Sequence, residues 1–327
     1  MKTVQQWCLL FAGVLAGAIG GYVFTHHEEW LSKHGGLLYP FVLVFILLVA
    51  SALPFEKIKN NILLKISKLK PCKIGILNDM GWDEKRPYQQ FATGTNVTID
   101  EWKEQIINDA KKNGMKVKVR LLNSKENFYS YSAILNPYGG VYPEEDLAGA
   151  VILSKIFDYV SKGGMFVNVA DVPGYWAYST KLARKSVAGL PVRYVKEDSK
   201  GAYIGSITPV AFAPFVQKLW LNVNPYEEEA NIQWKDPVKH GTERFQQEIS
   251  NLRINRIAVV ERNVVPVLTL MDEKSADGSE LTPLFLAIYD NGRFLISLIY
   301  QDSEKNSNNQ KMKEVISIVL IQSIKGR

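Results

Sequence analysis

The pattern of apolar and polar positions divides the chain into an apolar N-terminal part and a longer part with short alternating runs. Residues 7–24 and 37–55 are two apolar stretches almost free of charge. Each is close to the roughly 20 residues that a helix needs to cross a bilayer. A signal peptide is the alternative for the first stretch. The second stretch follows so soon, however, that a hairpin of two transmembrane helices is the better prediction.

Lysines predict how such a hairpin would be oriented. The segment between the two apolar stretches contains a single lysine, Lys33, whereas residues 56–73 contain six. Positively charged flanks stay on the cytoplasmic side. We therefore expect a multi-pass inner-membrane protein with both termini in the cytoplasm. Its parts are a hairpin at 1–56, a basic juxtamembrane stalk at 57–70 and a cytoplasmic domain at 71–327. The lysine cluster also explains most of the net charge of +6, so the bilayer and not nucleic acid is the expected partner.

Three glycines of the first apolar stretch are spaced four residues apart, at Gly13, Gly17 and Gly21. Small residues on one helical face let a second helix approach closely. The second helix is either the other half of the hairpin or the same helix of another copy. The sequence thus allows a homo-oligomer formed through the first span, without distinguishing it from packing within one chain.

From residue 71 onwards, short apolar runs alternate with amphipathic segments. Strands are predicted at 73–77, 116–122, 133–136 and 165–170, and helices at 99–113 and 146–161. Thr98 and Glu101 have the spacing of a capping box, Asp290-Asn-Gly predicts a hairpin, and 308–325 is predicted as a closing helix. This order is typical of a parallel α/β sheet, in which ligands bind outside the carboxyl ends of the strands.

Polar and aromatic side chains follow three of the predicted strands, where that carboxyl edge would lie. Amide, carboxylate and aromatic groups can bind a small ligand there, and the candidate ligand-binding residues are Asn78, Asp79, Asn136, Tyr138, Gly139, Gly140, Asn168, Asp171, Tyr175 and Trp176. Asp171 is either a reactive or ligand-binding carboxylate or a group that bonds its own turn. The Gly139-Gly140 pair either offers amides to an anion or simply permits a turn.

Four segments together resemble one superfamily. They are Ala-Ile-Leu-Asn-Pro-Tyr-Gly-Gly-Val-Tyr-Pro at 133–143, Tyr-Val-Ser-Lys-Gly-Gly-Met-Phe-Val-Asn-Val at 159–169, Asp-Pro-Val-Lys-His-Gly at 236–241, and the hairpin at 283–297. In this order they resemble the class I glutamine amidotransferase-like superfamily, in its ThuA-like and membrane-associated branch. The resemblance covers about residues 71–327 and implies a flavodoxin-like parallel-sheet sandwich behind the transmembrane hairpin.

The chain departs from that superfamily where the chemistry would occur. Catalytic members carry a cysteine in a Gly-x-Cys-x-Gly turn, whereas this chain has Val169-Ala-Asp-Val-Pro-Gly, with Ala170 or Asp171 at that position. The two cysteines are Cys8 and Cys72, and His240 is the single histidine of the predicted domain. A nucleophile activated by histidine cannot be assembled from these positions.

The departure determines the predicted function. We expect a membrane-anchored, non-catalytic sensor or scaffold whose amidotransferase-like domain binds a small ligand or a membrane or cytoplasmic protein partner and signals to the spans. The alternative is a membrane-anchored ThuA-like hydrolase that uses Asp171 and His240. Neither a cofactor nor a bound metal is expected, because no ligand spacing supports one.

Overall fold

The structure, a computed structural model, describes residues 72–79, 97–144, 151–171, 176–179, 194–197, 203–209, 213–235, 252–299 and 306–325. All of them belong to one unit, Leu63–Arg327. The predicted hairpin at 1–56, the stalk at 57–70 and the glycines at 13, 17 and 21 lie outside the described residues.

The described residues form fifteen strands and four α-helices. The strands are β1 Cys72–Leu77, β2 Val117–Leu122, β3 Ala133–Asn136, β4 Val141–Pro143, β5 Met165–Asn168, β6 Trp176–Ser179, β7 Tyr194–Glu197, β8 Tyr203–Pro209, β9 Val223–Ala230, β10 Ile232–Trp234, β11 Leu252–Val259, β12 Val264–Leu270, β13 Leu281–Thr282, β14 Leu284–Tyr289 and β15 Gly292–Ser297. The helices are α1 Ile99–Lys112, α2 Val151–Ser161, α3 Ala213–Lys218 and α4 Asn306–Lys325.

Eight of the strands form the main sheet, in the order β10-β12-β14-β15-β5-β3-β1-β2. The five strands from β2 to β15 run parallel, and β14, β12 and β10 extend the sheet antiparallel. Every residue of β3 and β5 is buried. This is the reason that these two strands read as unbroken apolar runs instead of alternating ones.

Helices α1 and α4 pack side by side and in the same direction. At one end the Nε2 of Gln310 donates to the Oε1 of Glu101 at 2.9 Å, and at the other the Nζ of Lys325 donates to the carbonyl of Asn113 at 2.9 Å. The capping box predicted for α1 is present, because the amide of Glu101 donates to the Oγ1 of Thr98 at 3.1 Å and the amide of Thr98 donates to the Oε2 of Glu101 at 2.7 Å.

Helix α2 packs on the main sheet through an aromatic cluster. The ring of Phe157 lies 5.2 Å from that of Phe294 on β15, 5.4 Å from that of Phe215 on α3 and 5.1 Å from that of Tyr289. These distances fall in the range of favourable ring contacts. The cluster therefore joins α2, α3 and the β14–β15 hairpin into one packed region.

Two further sheets correct the fold class predicted from the sequence. Strands β4-β6-β8-β7 form a four-stranded sheet, and β13-β11-β9 form a three-stranded sheet. Most described elements are strands, many of them antiparallel. A flavodoxin-like parallel-sheet sandwich behind a transmembrane hairpin is therefore the wrong description. Most of these antiparallel strands lie after residue 178.

The membrane prediction is corrected as well. Among the residues that the structure describes, no helix is both long enough and apolar enough to cross a bilayer. The prediction of a transmembrane, multi-pass inner-membrane protein with both termini in the cytoplasm has no support in the structure and is withdrawn.

Candidate functional site

Two asparagines at the carboxyl ends of β3 and β5 are buried against each other. The Nδ2 of Asn136 donates to the Oδ1 of Asn168 at 2.6 Å and to the carbonyl of Val141 at 2.9 Å. The Oδ1 of Asn136 also accepts the amide of Tyr138 at 3.3 Å. Buried amides need such partners. Asn136 therefore fixes the loop that follows its own strand, and the prediction that Asn136 and Asn168 meet at this edge is confirmed.

The turn after β5 has an unusual backbone. Ala170 has φ 62° and Asp171 has φ 115°, so two consecutive residues other than glycine lie in the left-handed region. Side chains with a Cβ adopt this region at an energetic cost. The side chain of Asn168 donates to the carbonyl of Asp171 and helps to hold this conformation. Strain of this kind persists where the surroundings over-determine it and is concentrated at functional sites.

Asp171 is engaged on both its main chain and its side chain. Its amide donates to the carbonyl of Ser297 at 2.7 Å, and its Oδ1 accepts the Nε of Arg256 on β11 at 3.2 Å. The side chain of Asp171 is 3% exposed and that of Arg256 is 16% exposed. A buried carboxylate requires such a partner. The turn is therefore tied to β15 by its backbone and to β11 by an ion pair.

Asp79, the second predicted carboxylate of this edge, bonds the loop after β2. Its Oδ1 accepts the Oγ of Ser124 at 2.6 Å and the amide of Ser124 at 3.0 Å. Burial raises the pKa of Asp79, and the hydrogen bonds from Ser124 only partly oppose that shift. Asp79 thus lies at the predicted edge, but its carboxylate bonds Ser124 in the loop after β2.

Lys155 on α2 completes this second cluster. Its Nζ donates to the carbonyls of Ser124 and Glu126 and lies 4.2 Å from the ring centre of Phe128. Burial lowers the pKa of Lys155, while the negative charges of Asp79 and Glu126 oppose the shift. Lys155 therefore holds α2 against the β2–β3 connection.

The remaining predicted residues border the two asparagines. The hydroxyl of Tyr138 donates to the Oδ1 of Asn78 at 3.4 Å, and the carbonyl of Gly140 accepts the amide of Trp176 at 3.1 Å. Gly139 has φ 67°, so glycine is required there for the turn. The structure therefore brings Asn78, Tyr138 and the glycine loop together, whereas Tyr175 and His240 lie outside the described residues.

Glu144 is a buried residue of this region that the sequence reading missed. Its Oε2 accepts the amides of Ile152 and Leu153 at 2.8 and 3.1 Å, at the beginning of α2. A negative charge is favourable at a helix N-terminus. Burial raises the pKa of the Tyr142 hydroxyl, and the charge of Glu144 adds to the rise. The short Glu-Glu-Asp sequence before α2 was the available signal for a capping acid.

Arg256 was also missed, because it belongs to β11 and is 85 residues away from Asp171 in the chain. The contacts of β11 with Leu298 and Ile299, after β15, bring it to this turn, and no local spacing in the sequence predicts them. The described residues include Cys72, which is buried, and none of the four histidines. They contain no group of three side chains able to hold a metal ion.

Comparisons with known proteins give distant likenesses only. No protein-family model matches the chain, and no curated protein matches it. A β-galactosidase of Rahnella sp. R3 is 13% identical with a TM-score of 0.40, and the match covers 78% of this chain and 31% of that one. The chain thus spans about a third of the length of that enzyme.

Two solved structures are covered almost entirely. A cytoplasmic protein of Salmonella typhimurium LT2 is 10% identical with a TM-score of 0.34, over 78% of this chain and 98% of that one. A glutamine amidotransferase of Thermotoga maritima is 11% identical with a TM-score of 0.34, over 79% and 98%. A glutamine amidotransferase is therefore among the structures to which this chain is similar.

Proposed function

We propose that this chain is a non-catalytic sensor or scaffold whose carboxyl-edge turn binds a small polar ligand or a protein partner. In this proposal the chain is a ThuA-like relative of the glutamine amidotransferases that has lost the nucleophile. The observation that carries the proposal is the pairing of Asp171. Its carboxylate is bound by Arg256, and its amide is bound by Ser297.

The strained backbone supports this view. A nucleophile elbow uses strain to expose a reactive side chain above a sheet. Here two left-handed residues follow β5, but the side chains at the turn are a methyl group and a paired carboxylate. The strain is thus kept while no activated nucleophile is present at Ala170 or Asp171.

The hydrogen bond made by the turn's amide also favours binding over catalysis. Acyl-transfer enzymes need backbone amides that are directed at the developing oxyanion. The amide of Asp171 donates to the carbonyl of Ser297 instead, at 2.7 Å. Oxyanion stabilisation at this turn would first require that bond to break, so binding is the better-supported role.

The residues that border the turn are mostly buried. The carboxamides of Asn136 and Asn168 bond each other and the turn in a fixed arrangement. The ring of Tyr138 beside them is fully buried, and that of Trp176 is half-buried. Sites with a few oriented polar groups in a largely apolar wall are typical of small-ligand recognition. A ligand that binds one arrangement of this turn better than another would shift its population, which is the requirement for a sensor.

Turnover assays on the full chain test the proposal. L-glutamine hydrolysis, followed by ammonia release, and hydrolysis of 4-nitrophenyl acetate are measured for the wild type and for Asp171→Asn. We expect neither protein to exceed the buffer rate. A wild-type rate that Asp171→Asn lowers by about a thousandfold or more while the protein stays folded would favour the hydrolase alternative instead.

A further inference from the structure

Trp220, at the end of α3, is the most exposed large apolar side chain among the described residues, at 80%. Tryptophan is usually largely covered in folded proteins, because its ring is the largest apolar side chain. The exposed ring contributes little to the packing of this fold. Folding alone therefore does not explain why tryptophan occupies this position.

The backbone of Trp220 makes the choice of residue more unusual. Its φ is 53°, the left-handed conformation that ends many helices and that glycine adopts without strain. The amide of Trp220 donates to the carbonyl of Gln217 at 3.0 Å, and that of Leu221 donates to Val216 at 2.9 Å. Glycine would satisfy this helix end better. The chain carries both the strain and the exposure, and an external contact would explain both.

The ring is presented on a rigid base. Phe215, Leu219 and Leu221 around it are buried. The side-chain amide of Asn263 donates to the carbonyl of Leu219. The main-chain carbonyl of Asn263 accepts the amide of Ile288 at 2.8 Å. These bonds join the end of α3 to the β11–β12 turn and to β14. The position of Trp220 is thus fixed before any ligand arrives, which lowers the entropy cost of binding.

This platform is distinct from the carboxyl-edge turn. Ile288 pairs with Arg293, which pairs in turn with Met165 at the beginning of β5, whereas Asn168 is the last residue of that strand and Asp171 follows it. A ligand at Trp220 would therefore bind at the opposite edge of the main sheet.

Exposed residues flank Trp220 in the chain and in the β11–β12 turn, which the Asn263 side chain joins to Leu219. Most are amides or charged groups, and they are Gln217, Asn222, Asn224, Glu261 and Arg262. The ammonium of Lys218 instead lies 4.3 Å from the ring centre of Phe157. Ile288, at 44% exposure, is the apolar exception. The centre of a protein interface is depleted of charged residues. A single aromatic face among hydrogen-bonding groups matches a pyranose, which has an apolar face of C–H groups and a rim of hydroxyls.

We propose that Trp220 is the stacking platform of a carbohydrate-binding site. The C–H groups on one face of a sugar ring carry slight positive charge and pack against the negative face of the indole. Amide and charged side chains of the α3 end and the β11–β12 turn accept and donate hydrogen bonds at the hydroxyl rim. No bond is made or broken in this interaction.

Affinity electrophoresis of the full chain tests this site, with gels that contain laminarin, hydroxyethylcellulose, glycogen, galactomannan or xylan. We expect wild-type migration to be retarded by at least one of these polysaccharides. Trp220→Gly should reduce the binding about tenfold, and Trp220→Tyr should keep most of it. The glycine variant suits the left-handed backbone and should melt at a temperature equal to or higher than that of the wild type, so lost binding will not reflect unfolding.

Three outcomes would overturn the proposal. The first is equal retardation of the wild type and Trp220→Gly, and the second is an absence of retardation by all five polysaccharides. The third is a change of oligomeric mass in Trp220→Gly without any polysaccharide effect, which would assign the ring to a protein contact instead.

Discussion

At the scale of single residues, the two carboxylates of the carboxyl edge have different partners. Asp171 pairs with an arginine from another sheet, whereas Asp79 accepts hydrogen bonds from the hydroxyl and amide of Ser124. A hydroxyl and an amide stabilise a carboxylate less than a guanidinium does. The stability contributed by Asp79 should therefore depend on pH in an unusual direction.

Burial raises the pKa of Asp79 above its ordinary value of 3.8. The folded protein thus holds this proton more tightly than the unfolded chain. The resulting stability is fully present below the unfolded pKa and is lost as the pH rises through the folded pKa. We expect the free energy of unfolding of the wild type to fall relative to that of Asp79→Asn as the pH rises from below 3.8 towards neutrality.

Urea unfolding of both proteins at a series of pH values measures this difference. Ser124→Ala provides the control, because it removes the hydroxyl that opposes the shift and should steepen the pH dependence. The free energy of unfolding of the wild type minus that of Asp79→Asn should therefore fall with pH. A difference that stays constant, or that grows with pH, would contradict a raised pKa for Asp79.

At the scale of elements, the β14–β15 hairpin is held by a close backbone contact. A Cβ built on Gly292 would overlap the carbonyl oxygens of Val160 and Gly164, at the end of α2 and the beginning of β5. Neither oxygen belongs to a flexible side chain that can move aside. The glycine of the Asp290-Asn-Gly turn is therefore needed for packing of the hairpin against α2.

Gly292→Ala should lower the free energy of unfolding by about 3 kcal/mol, at the upper end of the range for overpacked sites. Gly278→Ala is the matched control, since Gly278 has φ 84° and nothing within 4 Å of a built Cβ. That variant carries backbone strain alone and should lose about 1 kcal/mol. Equal losses in the two variants, measured by urea unfolding, would show that the contact with α2 has no effect.

A comparison of the elements with the sequence shows which strands and caps could be predicted. The strands predicted at 73–77, 133–136 and 165–170 correspond to β1, β3 and β5, although β5 ends at Asn168. They were predictable because largely buried parallel strands are apolar runs. The capping box at Thr98 and Glu101 was predictable, because its spacing is local. The apolar runs at 192–195 and 202–207 indicate the hairpin that β7 and β8 form. Strands β6 and β9 were not predicted, and the acidic run in β9 gives no clear alternation.

The candidate site was predictable to the same local extent. Asn136 and Asn168 follow neighbouring parallel strands, so the sequence indicated their meeting. Arg256 reaches the turn because Ile254 of β11 bridges Ile299 and the amide of Arg256 donates to the carbonyl of Leu298, contacts that no spacing in the chain encodes. The exposure of Trp220 follows from the packing of α3, so the sequence did not predict it either.

At the scale of the whole molecule, the Asp171–Arg256 ion pair connects two sheets. Asp171 follows β5 of the eight-stranded sheet, and Arg256 belongs to β11 of the three-stranded sheet. The amide of Arg256 also donates to the carbonyl of Leu298 at 3.4 Å. Under the proposed function, this pair holds the strained turn in the arrangement that binds the ligand or partner.

A double-mutant cycle with Asp171→Asn and Arg256→Met tests whether the ion pair holds the turn, with urea unfolding of the full chain as the readout. Arg256→Met should lose about 3 kcal/mol, because it leaves a buried carboxylate without its cation. The double variant should lose less than the two single variants combined, which gives a coupling energy of about 2 kcal/mol. Single losses that add to within about 0.5 kcal/mol would mean that the pair does not hold the turn, and the account of Asp171 would be contradicted.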